Sequence, residues 1–465
     1  MKKSNKMGKK VLVTGASGYI GSQLIVKLLN QGHQVVAMVR DPAKYTINRE
    51  IRKRIKVIVG DLQKPETLDS IPTDIQVAYY LVHAMALSIS QFEKIEKHQA
   101  ENFVHAIKNT SVKQVIYLGG LVSSDKLSRH LSSRQQVEKI LKASNLPCTI
   151  LRAGIIIGEG SASFEIIRDL VEKLPIMIAP KWVQSKCQPI GISDMIAFLT
   201  QVIDKKECIG QTFDVAGDEQ LTYKEMLYGY ADCRGLTRTI IKVPVLTPKL
   251  SSYWLYFVSS TNFFLAMALV DSLKVDAICC ENRIQNVIPR KCLSYKESVA
   301  KSLDVTNHLP KFGCLIDETK VDFEGDRQKV INRVWSIGGK KGWYALDWAW
   351  QLRGWFDQLI GGVGIRRGRD HQDSIEAGDH LDFWRVIIAD REGGHLLLRA
   401  EMIVPGEAWL EFLVTEDQLV QTATFRPKGV FGRAYWYLLL PFHLLIFSLM
   451  AKKIVKTGIK SMERK

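Results

Sequence analysis

"VLVTGASGYIGSQLIVKLLNQG", residues 11–32, decides the fold of the first half of this 465-residue chain. A short β-branched apolar run ends in a glycine-rich turn, and a segment of helix length follows. Gly15 permits the tight turn, Gly18 lets the backbone approach a pyrophosphate, and Gly21 lets the helix pack close to the strand. With Ala16, Ser17, Tyr19 and Ile20 they make a loop that opens a helix, whose N-terminal N–H groups favour an anion. The next apolar run, "QVVAMVRDP", comes where a dinucleotide-binding turn requires a second strand. Further runs, "IKVIVGD", "VAYYLV", "QVIYLGG" and "CTILRAG", recur before about residue 300, with helix-length segments between them. Continuous apolar strands of this kind predict a parallel sheet covered on both faces, a doubly wound α/β domain.

The strand ends nominate the nucleotide contacts. Arg40 closes the second strand, where a guanidinium favours the extra phosphate of NADP(H) and an acid would favour NAD(H). Asp41 comes one residue later, as a loop or helix-cap residue, so NADP(H) is preferred and NAD(H) stays open. Asp61 and Leu62 end the third strand, where they would meet the adenine, with an N-cap role for Asp61 compatible. Leu81 and Val82 end the fourth strand and Gly119 lies near the end of the fifth, both beside the expected cofactor.

Composition excludes several classes. The chain is 46% hydrophobic and 24% charged, as a globular protein with large cores is. Of the net charge of +16, ten units sit in the first ten and last fourteen residues. The body is therefore only mildly basic, with no aromatic-interleaved basic patch or zinc-finger spacing, and nucleic acid is not an expected partner. Basic ends of this kind aid solubility or touch anionic lipid. Eight cysteines without a C-x-x-C pair argue against structural zinc and against a disulfide framework, so no metal and a reducing cytoplasm are expected. Two uncharged runs need a place. Residues 250–270 are broken by Ser, Thr and Asn and fit a buried or pocket-lining helix pair. Residues 434–451 contain Pro441 and His443, are followed by Lys452 and Lys453, and fit a core or interface-lying helix better than a span.

Character changes beyond residue 305. Eight of the ten tryptophans lie after residue 330, and short strands follow one another through "HLDFWRVIIAD", "HLLLRAEMIV", "AWLEFLV" and "DQLVQTATF". Leu396, Leu398, Ala400 and Met402 share one face at period two. The expected division is a basic tail (1–8), a nucleotide-binding domain (9–305), a linker (306–330) and an antiparallel α+β domain (331–460) closed by a long helix from about Phe431. Trp343, Trp348, Trp350 and Trp355 offer apolar faces either to a ligand or to the core. The cluster "RRGRD", residues 366–370, suits an acidic head group or pairing with Asp373 and Glu376.

Residues 10–300 resemble the atypical short-chain dehydrogenase/reductase superfamily, close to its NmrA-like and extended members, through "TGASGYIG", "VRDP", "GDL" and "LPCTILRAGIIIGEGSASF". The whole chain resembles a bacterial family of two-domain NAD(P)-binding proteins whose second domain looks like the START-like (SRPBCC) helix-grip superfamily. That resemblance implies a doubly wound parallel Rossmann sheet followed by a helix-grip-like antiparallel domain with an apolar cavity. It also sharpens a departure. The Tyr-x-x-x-Lys pair of the family would fall on His130 and Arg134, no Tyr-x-x-x-Lys occurs in the chain, and Gly119 and Gly120 stand where a serine normally ends the fifth strand. His130 would serve as the acid, with an ordinary pKa of about 6.5, and Arg134 would hold the ribose or an oxyanion. The competing reading makes His130 a surface-loop residue and Arg134 a helix-face charge. In the loop "GEGSASFE", Ser161, Ser163 and Glu165 are polar, with helix capping by either serine as the simpler role. Asp194 reads as a helix-start residue. The expected function is NADP(H)-dependent oxidation or reduction of a hydrophobic small molecule that needs little acid help at oxygen. The alternative is a non-catalytic NADP(H)-responsive sensor or lipid- or quinone-binding protein, with peripheral membrane contact through the basic tails and the C-terminal helix.

Overall fold

The computed structural model describes residues 8–42, 45, 47, 49–83, 92–121, 128–242, 275–304, 309–310, 312–359 and 374–459. The run at 250–270, the cluster at 366–370, Asp373 and the extreme ends of both tails lie outside the described residues. Two compact units are present: one comprises residues up to 171 with 176–303, the other 304 onward with 172–175.

In the first unit seven strands form one sheet: β1 (Lys10–Val13), β2 (Gln34–Val39), β3 (Lys56–Val59), β4 (Val77–Tyr80), β5 (Gln114–Gly120), β6 (Cys148–Ala153) and β7 (Thr212–Val215). They are parallel throughout, in the order β7-β6-β5-β4-β1-β2-β3. The helices that matter for the site are α1 (Tyr19–Asn30), α2 (Phe92–Lys108), α3 (Arg129–Ala143), α4 (Ala162–Lys173) and α5 (Ile192–Gln201). Why the strands read as unbroken apolar runs is visible in the packing. Val11, Val13, Val35, Ala37 and Tyr79 belong to one buried cluster, and Leu12, Val36, Met38, Ala78 and Tyr80 to another. Period-two alternation thus feeds two cores across the central strands, while Lys56 and Val59 of the edge strand β3 are exposed. The order of strands reverses between β1 and β4, so the glycine turn after β1 sits at the topological switch point, where open α/β sheets bind ligands.

The second unit is a six-stranded antiparallel sheet of β8 (Leu315–Asp322), β9 (His380–Leu381), β10 (Trp384–Asp390), β11 (His395–Ala400), β12 (Gly406–Val414) and β13 (Gln418–Pro427), ordered β8-β13-β12-β11-β10-β9. Its helices include α6 (Arg327–Val334), α7 (Asp347–Leu359) and α8 (Gly429–Ile459). Residues 306–330, expected as a linker, instead hold β8, which pairs along its whole length with β13, and the start of α6. Leu396 and Leu398 lie in the core with Ala400 and Met402 packed against it, as their alternation predicts. The tryptophans divide. Trp343 is core: it stacks on Trp350 at 5.1 Å, and its indole N–H donates to the Asp382 carboxylate at 2.8 Å. Trp348 and Trp355 are exposed.

Candidate functional site

The turn between β1 and α1 is built for close approach. Gly15 has φ +68°, and a Cβ there would lie 2.7 Å from the Leu81 carbonyl oxygen. A Cβ on Gly21 would lie 2.3 Å from the Gly15 carbonyl oxygen, so only glycine lets α1 run against the turn. The Gly18 N–H donates to the Gly15 carbonyl at 2.9 Å. Gly18 caps α1 without a side-chain hydrogen bond, and the first turn of the helix holds no acid. The helix's own first turn thus leaves the dipole's positive end to an anion, and these residues fit a dinucleotide pyrophosphate.

A cavity of about 440 Å³ opens beside the turn, lined entirely by residues of the first unit. Tyr19, Ile20, Leu81 and Gly119 reach it from the cofactor-binding set, and His130 and Arg134 from the expected catalytic set. Gly15, Ala16, Ser17, Gly18 and Gly21 form the turn itself, and Val82 packs on the core under α2. Arg40 is exposed just past the end of β2. The Leu62 side chain is buried in the core beneath α2. The Asp61 carboxylate accepts from the Gln63 N–H at 3.0 Å and shapes its own turn.

α3 begins where Ser128 accepts the Leu131 N–H at 3.2 Å, which puts His130 in the first helical turn and not on a surface loop. Arg134, one turn on, is directed at β5: its guanidinium donates to the Leu118 carbonyl and lies 5.2 Å from the Tyr117 ring centroid. It anchors α3 to the sheet and is not a free helix-face charge.

His130 has a partner that the sequence reading did not contain. His83, just beyond the end of β4, places Nε2 2.8 Å from His130 Nε2, and the two rings stack at 4.9 Å. His83 Nδ1 in turn meets the buried carboxylate of Glu96 on α2, whose other oxygen accepts the Ser133 hydroxyl. The result is a chain Glu96–His83–His130 running from the core to the cavity wall. Burial raises the Glu96 carboxyl, but the hydrogen bond and charge of His83, with Arg134 and Ser133, more than offset it and hold it at about 2. Burial, then Arg134, lowers His83 against the pull of Glu96. Burial, His83 and Arg134 push His130 down to about 3. An acid titrating near its ordinary value, as expected from sequence, is thereby replaced by a neutral imidazole.

Both signals were present in the sequence. His83 follows a strand at its carboxyl end, the ligand-binding edge of such sheets. Glu96 is in phase with Ala100, Phe103 and Ile107, all buried, so a carboxylate stands, with Gln99 beside it, in the buried face of the helix.

The loop after β6 is fastened rather than capped by its serine: the Ser161 hydroxyl donates to the Ile156 carbonyl at 2.7 Å. Glu165 accepts the Gly160 N–H at 2.8 Å and pairs with Arg168; burial pushes its carboxyl up to about 7. Asp194, in the first turn of α5, is buried; its Oδ1 accepts from Arg290 Nε and Nη2 at 2.8 and 2.6 Å and its Oδ2 from the Leu293 N–H at 2.9 Å, which makes it structural.

The histidines give stability a pH dependence. Unfolded, they bind a proton at about pH 6.5; folded, His130 does so only at about 3, His443 of the second unit at about 4, and His83 below its ordinary value. Their contribution is complete above about pH 6.5 and is lost as pH falls toward the folded values, because the unfolded chain then binds more protons. Urea midpoints should therefore drop between about pH 7 and 5, and the drop should be smaller in His130→Gln; an equal drop in both would contradict the assignment.

Residues 15–174 match a family of NAD(P)H-binding domains, and residues 314–450 match a protein family of unknown function, DUF2867. Among curated relatives, the photosystem II assembly factor Ycf39 of Guillardia theta is 23% identical over 304 residues, covering 64% of this chain and 91% of that protein. Ycf39 of Synechocystis is 24% identical over 244 residues, 51% and 71% of the two chains. In fold, the first unit is similar to Citrobacter triphenylmethane reductase complexed with NADP(H), with TM-score 0.52 and 17% identity over 63% of this chain and all of that one.

Proposed function

We propose that the NAD(P)(H)-binding Rossmann unit of this chain is the catalytic half of an oxidoreductase that exchanges hydride with an apolar, conjugated small molecule. One observation carries this reading: Tyr19, Ile20 and Leu81 beside the glycine turn, and His83, His130 and Arg134 beside the proton chain, wall the same cavity, whose other lining is largely aliphatic. Its volume suits a small organic ligand. NAD(P)H, when bound, supplies the hydride, and its oxidised form accepts it in reverse.

The chain's own residues handle the proton. Glu96 accepts the Nδ1–H of His83, which leaves His83 Nε2 as acceptor and His130 Nε2–H as donor across 2.8 Å; the tautomers follow from this network. In substrate oxidation, His130 Nδ1 takes the hydroxyl proton while its Nε2 proton passes to His83, and the positive charge comes to rest beside Glu96. Reduction runs the same transfers backward. A histidine held at about 3 is almost wholly unprotonated near neutral pH, so it seldom has a proton of its own to give. The site therefore suits carbons that accept hydride with little help at oxygen, such as quinones, conjugated alkenes or iminium-like centres. Arg134 acts as a positioning residue for His130.

Arg40 supports NADP(H) over NAD(H). Arg40→Ala should lower the preference for NADPH by about tenfold, read from paired NADPH and NADH titrations; an unchanged ratio removes this argument. The second unit, an antiparallel six-stranded sheet with a long terminal helix, is consistent with a helix-grip reading.

A second reading is favoured by the missing Tyr-x-x-x-Lys pair and by the name of the Ycf39 relatives: an NADP(H)-responsive binding or assembly protein without turnover. Single-turnover incubation with deuterium-labelled NADPH and either a triarylmethane cation, whose central carbon is iminium-like, or cinnamaldehyde separates the two, since each would keep the label in a C–D bond. Deuterium in the product supports the oxidoreductase; tight NADPH binding with no transfer to either probe supports the sensor.

A further inference from the structure

We propose that the second unit docks on an anionic lipid bilayer surface through the exposed faces of α8 and α7. The proposal does not rest on hydride transfer.

α8 is 31 residues long and apolar enough to cross a membrane, with mean hydropathy 1.8 over its most apolar window, yet only 28% of that window is buried. Burial is split along its length. Phe447, Met450, Ala451, Ile454 and Val455 are sunk in the core of the unit. Toward the N-terminal end, Phe431 is 86% exposed and Leu438 74%, with Phe442 and Leu445 also exposed. These four recur at intervals of seven, four and three residues and form one stripe of the helix. α7 repeats the pattern: Trp348, Leu352, Trp355 and Leu359 are exposed at intervals of four, three and four, while Trp350 on its inner side meets Phe447 of α8 at 6.2 Å. A stripe this long and aromatic on a soluble helix marks an interaction surface.

Charge identifies the occupant. α8 contains Arg433, Lys452, Lys453 and Lys456 and no acidic residue, and the three lysines are exposed. An apolar face succeeded by a basic cluster is complementary to acyl chains beneath anionic headgroups, with Trp and Tyr suited to the boundary. The stripe from Phe431 to Leu445 rises only about 22 Å, short of a hydrocarbon core of about 30 Å. The turns that follow are fixed in the protein core, so the helix lies in the interface and does not span.

The test is flotation of the full chain with vesicles of phosphatidylcholine alone or of phosphatidylcholine with phosphatidylglycerol. Binding to the anionic vesicles should exceed binding to the neutral ones. The double variant Leu438→Glu, Leu445→Glu should lose about tenfold or more in vesicle partition, and Lys452→Glu, Lys453→Glu should lose the preference for anionic lipid. Both should keep the wild-type unfolding temperature, since the four positions are exposed. Three results would overturn the proposal: a wild-type chain that remains unbound with both vesicles, equal binding to both, or a lipid-independent dimer that the leucine variant dissociates, which would make a second copy the occupant.

Discussion

Gly15→Ala should abolish measurable NAD(P)H binding, a loss of about a hundredfold or more. The backbone at Gly15 is left-handed, which disfavours any side chain, and the added methyl would sit 2.7 Å from the Leu81 carbonyl oxygen and 2.9 Å from its carbonyl carbon. Those are main-chain atoms just past the end of β4, so relief requires the turn and the strand end to separate. Separation would move the N-terminus of α1 and Leu81, both of which border the site. Gly32 supplies the control: its φ is +83°, yet a Cβ there meets nothing within 4 Å. Gly32→Ala should lower stability modestly and leave cofactor affinity unchanged. Fluorescence titration with NADPH, beside thermal unfolding, decides the matter; Gly15→Ala binding within about threefold of wild type would refute the assignment of this turn to the pyrophosphate.

The second large effect is expected at Glu96, a residue that touches neither cofactor nor cavity. Glu96→Gln removes the negative charge that orients His83 and stabilises it when it takes a proton. Oxidation of cinnamyl alcohol with NADP⁺, in which the chain must take the hydroxyl proton, should slow about 10²- to 10³-fold, with NADPH affinity nearly unchanged. His130→Gln should fall comparably, and the double variant should be little worse than either, because the three groups act as one chain. A merely structural Glu96 would behave differently: stability would fall, but kcat at a permissive temperature would not, and the double variant would combine the two losses independently. Glu96→Asp should restore part of the rate, as a shortened carboxylate still faces His83.

Much of this was legible before any coordinates. The three glycines, the apolar strand rhythm and the position of Arg40 are local patterns, and each constrains backbone and packing through neighbours a few residues away. The C-terminal meander was legible for the same reason, through Leu396, Leu398 and the residues in phase with them. Sequence falls short where an element's partner is distant. β8 reads as linker because its partner β13 lies about a hundred residues away, beyond the reach of any local pattern.

By itself, then, the sequence determined the doubly wound first unit, the dinucleotide turn and the absence of the usual tyrosine and lysine, since backbone conformation and strand burial are written in short-range periodicity. Only the tertiary structure decided which polar groups meet at the cavity wall. Glu96, His83 and His130 come from three separate segments, and a carboxylate buried among apolar residues acquires a role only when folding brings an imidazole to it. The same holds for α8: its composition is apolar nearly throughout, and packing against the sheet alone fixes which turns are core and which face outward.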